Sequence, residues 1–338
     1  RLGTFEELRQ AIAEIHEMGV RVVLFTKFTW ADRSLPWFRE ALHQYAVRDP
    51  YGDYYLHGGY QYQSASSLLN VNTKRFVPMC FYAEGYLAVA EKEFQKLLDL
   101  GADGMLFDEN LHHGPATLCF DTRHGHRYGA PIYAMDNPFV RRLAALIPSG
   151  REFVMGGEAC YDWEMETYNF SYHRSDKKNH LPVMRYMRPD AALATAVIGF
   201  NDRDMINQAL LYKYILSYEP FNFKGLPQDF PVTLAYGQKM DALRTEHRAY
   251  LWDGTYCHQQ GTAVYRADGV SHAAYSVFRK RTGDAYAIVI ANPSREPVDL
   301  HVETALPLQR GAYRLVDTDE WTPFGGASEQ ALRPNRMM

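Results

Sequence analysis

The sequence is poor in the features that assign a protein to a class most quickly. Its four cysteines, Cys80, Cys119, Cys160 and Cys257, lie far apart and form no C-x-x-C pair. That excludes the disulfide framework of a small secreted domain and favours free thiols. No apolar run approaches the ~18–20 residues of a membrane-spanning helix. No basic block is present either: 36 Lys and Arg against 40 Asp and Glu leave a net charge of −4. Nothing therefore recommends nucleic acid or an anionic membrane as partner. G-x-G-x-x-G and Walker motifs are also missing, which removes the usual marks of a doubly wound nucleotide-binding sheet. The chain opens on Arg1 and is almost at once in a helix. Its true N-terminus is expected to be missing, so the lack of a signal peptide says nothing about location.

Aromatic side chains are abundant. Tyr (24), Phe (18) and Trp (5) make up 14% of the chain, more than a core alone tends to need. Some are expected in a binding groove, the alternative being a bulky core. With 338 residues the chain exceeds the ~250 at which single cores usually stop growing, so a long barrel or a large domain plus a small one is expected.

The hydrophobic pattern repeats one theme. Phe5, Leu8, Ile12, Ile15 and Met18 recur at helical spacing, Gly19 follows as a C-cap, and "VRVVLF" (20–25) reads as a strand buried on both faces. Leu87, Ala90, Phe94 and Leu97 form a second stripe, Gly101 ends it, and "GMLF" (104–107) is the next strand. Further strands are expected at 151–158, 181–189, 194–200 and 219–223, with helices at about 137–148, 204–217 and 234–251. Helix–Gly–strand units of this size predict an α/β (β/α)8 TIM barrel over residues 1–255, lacking its first one or two strands. From about 262 the texture changes to short alternating strands divided by Gly, Asp and Pro. That predicts a C-terminal antiparallel β-sandwich over 262–338.

Barrel enzymes carry their catalytic groups at the C-terminal ends of strands. Here those ends offer Lys27, Thr29 and Trp30, then Asp108, Glu109 and Asn110, then Glu158, Asp162 and Trp163, and finally Asn201, Asp202, Arg203 and Asp204. Carboxyl groups at equal height on neighbouring strands can approach the ~5–5.5 Å separation of a retaining glycosidase pair. Acids just after strands also cap helices or bind loop arginines, and Asp204 is placed to be an N-cap. Alternation allows only one of Asp108 and Glu109 to face the barrel axis. In "CFDTRHGHRYG" (119–129), Cys119, His124 and His126 could ligate zinc, yet C-x4-H-x-H is not a common closed site. The histidines are therefore expected over the barrel mouth, bonding hydroxyls, with no metal and no cofactor. Between the first strand and the next helix, 28–83 forms a long connection rich in Trp and Tyr, suited to sugar rings, an oligomer interface or a self-packed lid.

"GADGMLFDE", "CFDTRHGHRYG", "FVMGGEACYDW", "LPVMRYMRPD" and "GFNDRDMINQALLYKYILSYEPFNFKG" together resemble a largely uncharacterised bacterial family of candidate glycoside hydrolases. That family is distantly related to the α-galactosidase, α-amylase and endo-α-N-acetylgalactosaminidase barrels. The resemblance covers most of residues 1–255. It implies a glycosidase acting on an α-linked sugar in a retaining reaction, with Asp108 as nucleophile and Glu158 as acid/base. Other clan members place the acid/base on a later strand, which keeps Asp202 and Asp204 in play. Lys27, Trp30, Glu109, His124, His126 and Trp163 are the expected carbohydrate contacts, joined by Arg185, Asn201, Asp202 and Asp204. The rival readings are a non-catalytic carbohydrate-binding barrel and a metal-dependent hydrolase. Oligomeric state and location stay open.

Overall fold

The computed structural model describes residues 3–58, 74–111, 117–158, 161–173, 180–219, 225–294, 296–306, 311–316, 320–324 and 328–332. Two compact units divide the chain, residues 1–172 and 173–338.

The first unit opens with α1 (Phe5–Glu17), whose first turn is closed by a reciprocal Thr4–Glu7 capping box. β1 (Val23–Thr26), β2 (Trp30–Asp32) and β3 (Phe76–Pro78) precede α2 (Glu84–Asp99). β4 (Gly104–Phe107), α3 (Asp136–Ala144), β5 (Val154–Gly157) and β6 (Phe170–His173) follow. α2 ends as its sequence requires. Gly101 takes the left-handed conformation, φ +84°, while its amide and that of Ala102 bond back to the carbonyls of Leu98 and Leu97. This lets α2 bury the expected stripe, Leu87, Ala90, Phe94 and Leu97. β1 pairs in parallel with β4, β4 with β5, and β5 with β6. β4 is buried throughout, and its Phe107 meets Phe28 and Phe139 edge-on and stacks on Phe81, which meets Phe139 edge-on at 4.7 Å between centroids.

β1 corrects one expectation. It is not buried on both faces: Val23 is 37% and Phe25 57% exposed. β4 is its one ladder partner among the described residues, and an edge strand leaves apolar side chains uncovered. The stripe on α1 is similarly incomplete, with Ile12 its one buried member.

In the second unit, α4 (Val183–Met187), β7 (Leu193–Val197), α5 (Arg203–Leu211), β8 (Tyr214–Tyr218) and α6 (Pro231–Glu246) lead to the C-terminal strands. β7 and β8 pair in parallel. Residues 181–189, expected as a strand, instead hold α4. A short apolar run does not distinguish strand from helix by periodicity, and the buried Arg185 decides here by bonding nearby carbonyls. The helix expected to reach Ser217 stops at Leu211. Lys213 turns the chain with φ +56°, and "YILSY" becomes β8. The strand expected at 219–223 lies largely outside the described residues. Beyond Gly254 come two three-stranded antiparallel sheets, whose Val264, Tyr275 and Leu300 share a small core. The change of texture near 255–262 thus falls inside the second unit. No helix among the described residues is long and apolar enough to cross a membrane.

Candidate active site

The first unit's sheet fixes a row of residues by register. Thr26 pairs with Phe107, Phe107 with Gly157, and Gly157 with Ser171. The next residues, Lys27, Asp108 and Glu158, therefore leave three adjacent parallel strands at one level and at their C-terminal ends. The ladder continues through them. The Asp108 amide donates to the Thr26 carbonyl at 2.8 Å, and the Glu158 amide to that of Phe107 at 3.2 Å.

Lys27 Nζ lies 3.3 Å from Asp108 Oδ2 and pairs with Glu109 Oε2. It also sits 3.8 Å above the Trp30 ring, which in turn leans on His57 at 4.0 Å between centroids. Burial lowers the pKa of Lys27, against the opposing pull of Asp108 and Glu158. Glu109 is 5% exposed and takes a backbone that few non-glycine residues adopt, φ +45°. Its carbonyl accepts from Thr29 Oγ1 at 2.5 Å, and its amide donates to Glu158 Oε2 at 2.8 Å. The strand ends at Phe107, so alternation no longer governs the two acids, and both reach the same ammonium. Asp108 remains a third exposed on its side chain, whereas Glu158 is 7% exposed.

Behind these groups lies a buried polar layer that sequence reasoning did not find. Asn110 Nδ2 reaches Asp136 Oδ2 at 3.5 Å, and Tyr168 donates to Asp136 Oδ1 at 2.9 Å. Burial pushes the Asp136 pKa up to about 7. Ser171 donates to the fully buried Glu164 at 3.1 Å. Asp136 directly precedes the helix expected at 137–148 and Glu164 lies beyond the end of its strand, so neither stands at a strand end. A side chain at Gly157 would collide with Glu164 and Asn110, so this glycine makes room for the layer directly below Glu158.

The other expected site residues go elsewhere. Trp163 is exposed on the loop after β5, its carbonyl accepting from Asn137 at 3.0 Å. In the second unit, Arg185 is no surface contact for substrate. It is wholly buried and donates to the carbonyls of Tyr212, Pro189 and Ala191 at 2.8 Å each. Asp202 occupies the N-cap position of α5, which had been expected for Asp204. It accepts from the amides of Ile198 at 2.9 Å and Gly199 at 3.1 Å, and so holds its own turn. Asp204 lies half-buried in the first turn of α5, and Asn201 is exposed. Residues 59–73 of the expected aromatic connection, and Cys160, lie outside the described residues.

His124 and His126 join Cys80 and Cys119 in a cluster whose ligand atoms all lie within 4.8 Å of one another. Three of the four are buried, so His124 is not free to bond substrate hydroxyls. The Cys119 thiol is held far below the usual range, to about 3, because Cys80 and His124 donate to its sulfur against the cost of burial. Cys80, the donor, is pushed up.

Four solved structures show the fold. A noncanonic maltogenic α-amylase from Thermotoga neapolitana superposes over 98% of this chain and 80% of its own, with TM-score 0.65 and 9% identity. The α-amylase of Geobacillus thermoleovorans complexed with acarbose gives 99%, 80%, 0.60 and 13% in the same order. The debranching enzyme of Nostoc punctiforme gives 99%, 78%, 0.60 and 11%. The GH27 β-L-arabinopyranosidase of Geobacillus stearothermophilus gives 97%, 75%, 0.54 and 12%. These likenesses are of fold alone. No curated protein sequence matches the chain. A family model described as "Domain of unknown function (DUF6259)" matches residues 3–172. Its end coincides with that of the first unit, and it takes in Lys27, Asp108, Glu109, Glu158 and the cysteine–histidine cluster. The chain belongs to this DUF6259 family.

Proposed function

We propose that the protein is a retaining glycoside hydrolase acting on an α-linked sugar. The observation that carries the reading is the register row: Asp108 and Glu158 leave adjacent parallel strands at one level, with Lys27 paired to Asp108 from the strand on its other side. Strands ~4.8 Å apart suit the short carboxyl spacing of a retaining pair. A carboxylate oxygen of Asp108, the more exposed acid, attacks the anomeric carbon. The bond to the leaving oxygen breaks as Glu158 gives that oxygen a proton. Glu158 then takes a proton from water, the hydroxide oxygen bonds to the anomeric carbon, and the sugar–Asp108 bond breaks. The net change is glycoside plus water to free sugar plus alcohol. Trp163, exposed after β5, offers an aromatic face for a sugar ring, and the glycosidase-like fold supports a carbohydrate substrate.

A panel of aryl α- and β-glycosides tests this. Wild type should release the aryl alcohol from at least one α-glycoside, and Asp108→Asn should cut that rate by ~10³-fold or more while leaving the circular dichroism unchanged. Near-normal turnover by Asp108→Asn would refute the assignment. One observation favours a second reading, a non-catalytic sugar-binding barrel. Glu158 is buried and committed to the Glu109 amide, as a purely structural acid would be. Sugar binding by wild type with every aryl glycoside left intact would support that reading.

A further inference from the structure

We propose that Cys80, Cys119, His124 and His126 bind one zinc ion that staples together two connecting segments of the first unit. Cys80 Sγ lies 3.4 Å from His126 Nε2, and Cys119 Sγ lies 3.4 Å from His124 Nδ1. A tetrahedral zinc with ordinary Zn–S and Zn–N bonds sets S···N edges of about 3.5 Å, so these pairs already stand at ligand separation. The remaining ring nitrogens are engaged as ligand histidines require. His124 Nε2 faces the Gln44 carbonyl at 2.9 Å, and His126 Nδ1 faces that of Arg127 at 2.8 Å. Each carbonyl accepts a ring N–H, so the nitrogen that faces the sulfurs is the one whose lone pair a metal ion would take on displacing its proton. Backbone amides complete the surroundings, Tyr82 and Ala83 toward Cys80 and Arg48 and Asp121 toward Cys119.

The chain geometry explains how residues so distant in sequence meet. Cys80 lies two residues beyond the end of β3 and is tied to Tyr45 through its amide, at 2.9 Å. Cys119 sits on a two-residue strand, Leu118–Cys119, paired with Ala130–Pro131. Gly125, with φ +81°, ends the turn Thr122–His124 and reverses the chain so that both imidazoles face inward. Two thiolates and two neutral imidazoles make a closed set that leaves no position for water, and two sulfurs with two nitrogens favour zinc over magnesium or calcium. The ion is therefore structural. It locks the segment that follows β3 to the 118–131 hairpin that follows β4, and the Cys80 amide and His124 Nε2 hold Gln44–Tyr45 to both. This inference does not depend on the glycosidase reading.

Metal analysis of the full chain, purified under reducing conditions without chelator, should find about one zinc per chain. Cys119→Ser and His124→Ala should lose most of it, while Cys257→Ser keeps it. Metal-free wild type given Co²⁺ should develop the visible bands of tetrahedral cobalt and a thiolate charge-transfer band. The wild-type measurements stand even if a variant misfolds. Wild type with both thiols reduced that takes up neither zinc nor cobalt would overturn the proposal. So would an intact mass two hydrogens light from a Cys80–Cys119 disulfide, or zinc retained in full by Cys119→Ser.

Discussion

Glu109 shows how much one residue can carry and how little of that is visible in its sequence. "FDEN" declares two acids at a strand end, and alternation then assigns them to opposite faces. The structure ends the strand at Phe107 and turns Glu109 into a left-handed backbone, so both acids meet Lys27. A tertiary partner 82 residues before Glu109 (109 − 27) is not readable from a local pattern. Lys27→Met should destabilise the fold by about 3 kcal/mol, because Glu109 keeps its buried charge without a counter-ion. Urea denaturation checks this, and a loss well under ~1 kcal/mol would mean that the pair is unimportant. Asp136 offers a test through pH. Its pKa rises from 3.8 to about 7 on folding, so between those values the native state holds more protons than the unfolded chain. The group's stabilising contribution is greatest below pH 4 and is lost as pH rises through 7. The stability of wild type relative to Asp136→Asn should fall by several kcal/mol from pH 4 to pH 8, on the order of 4 for about three pKa units. A difference that is flat with pH would contradict the buried, protonated carboxyl.

At the scale of elements, legibility followed the strength of the local signal. α2 and β4 stand where their stripe, C-cap glycine and apolar run put them, β5 lies within its expected span, and β7 overlaps its own, starting and ending earlier. β6, "FSYH", went unseen because a short mixed run carries no clear period, and α4 was taken for a strand for the same reason. β1 carries a core-like sequence at an edge, a difference that depends on neighbours and not on its own residues. The end of β5 is the element that places the site. Gly156 and Gly157 lie flush against the Phe170 ring and the Glu164 carboxyl, and Glu158 follows at once. Gly157→Ala should cost ~1–3 kcal/mol and lower kcat by displacing Glu158. A variant as stable and as active as wild type would show that this close packing is not needed.

For the molecule as a whole, the sequence supported a parallel α/β fold with an antiparallel C-terminal part, and the observed parallel strands, antiparallel sheets and glycosidase-like neighbours agree with that coarse description. The acids at strand ends were legible because topology places strand ends together. The cysteine–histidine cluster was only half legible, since Cys80 joins it across the fold. Azide rescue tests the central claim, that Asp108 and Glu158 form a retaining pair, most directly. On the aryl glycoside that wild type cleaves best, Glu158→Ala should form the glycosyl–Asp108 species and then stall, lacking a base for water. Added azide, which needs no base, should raise turnover ~10-fold or more and yield a glycosyl azide of the substrate's own anomeric configuration. Wild-type turnover by Glu158→Ala with no azide product, or an azide of inverted configuration, would contradict it.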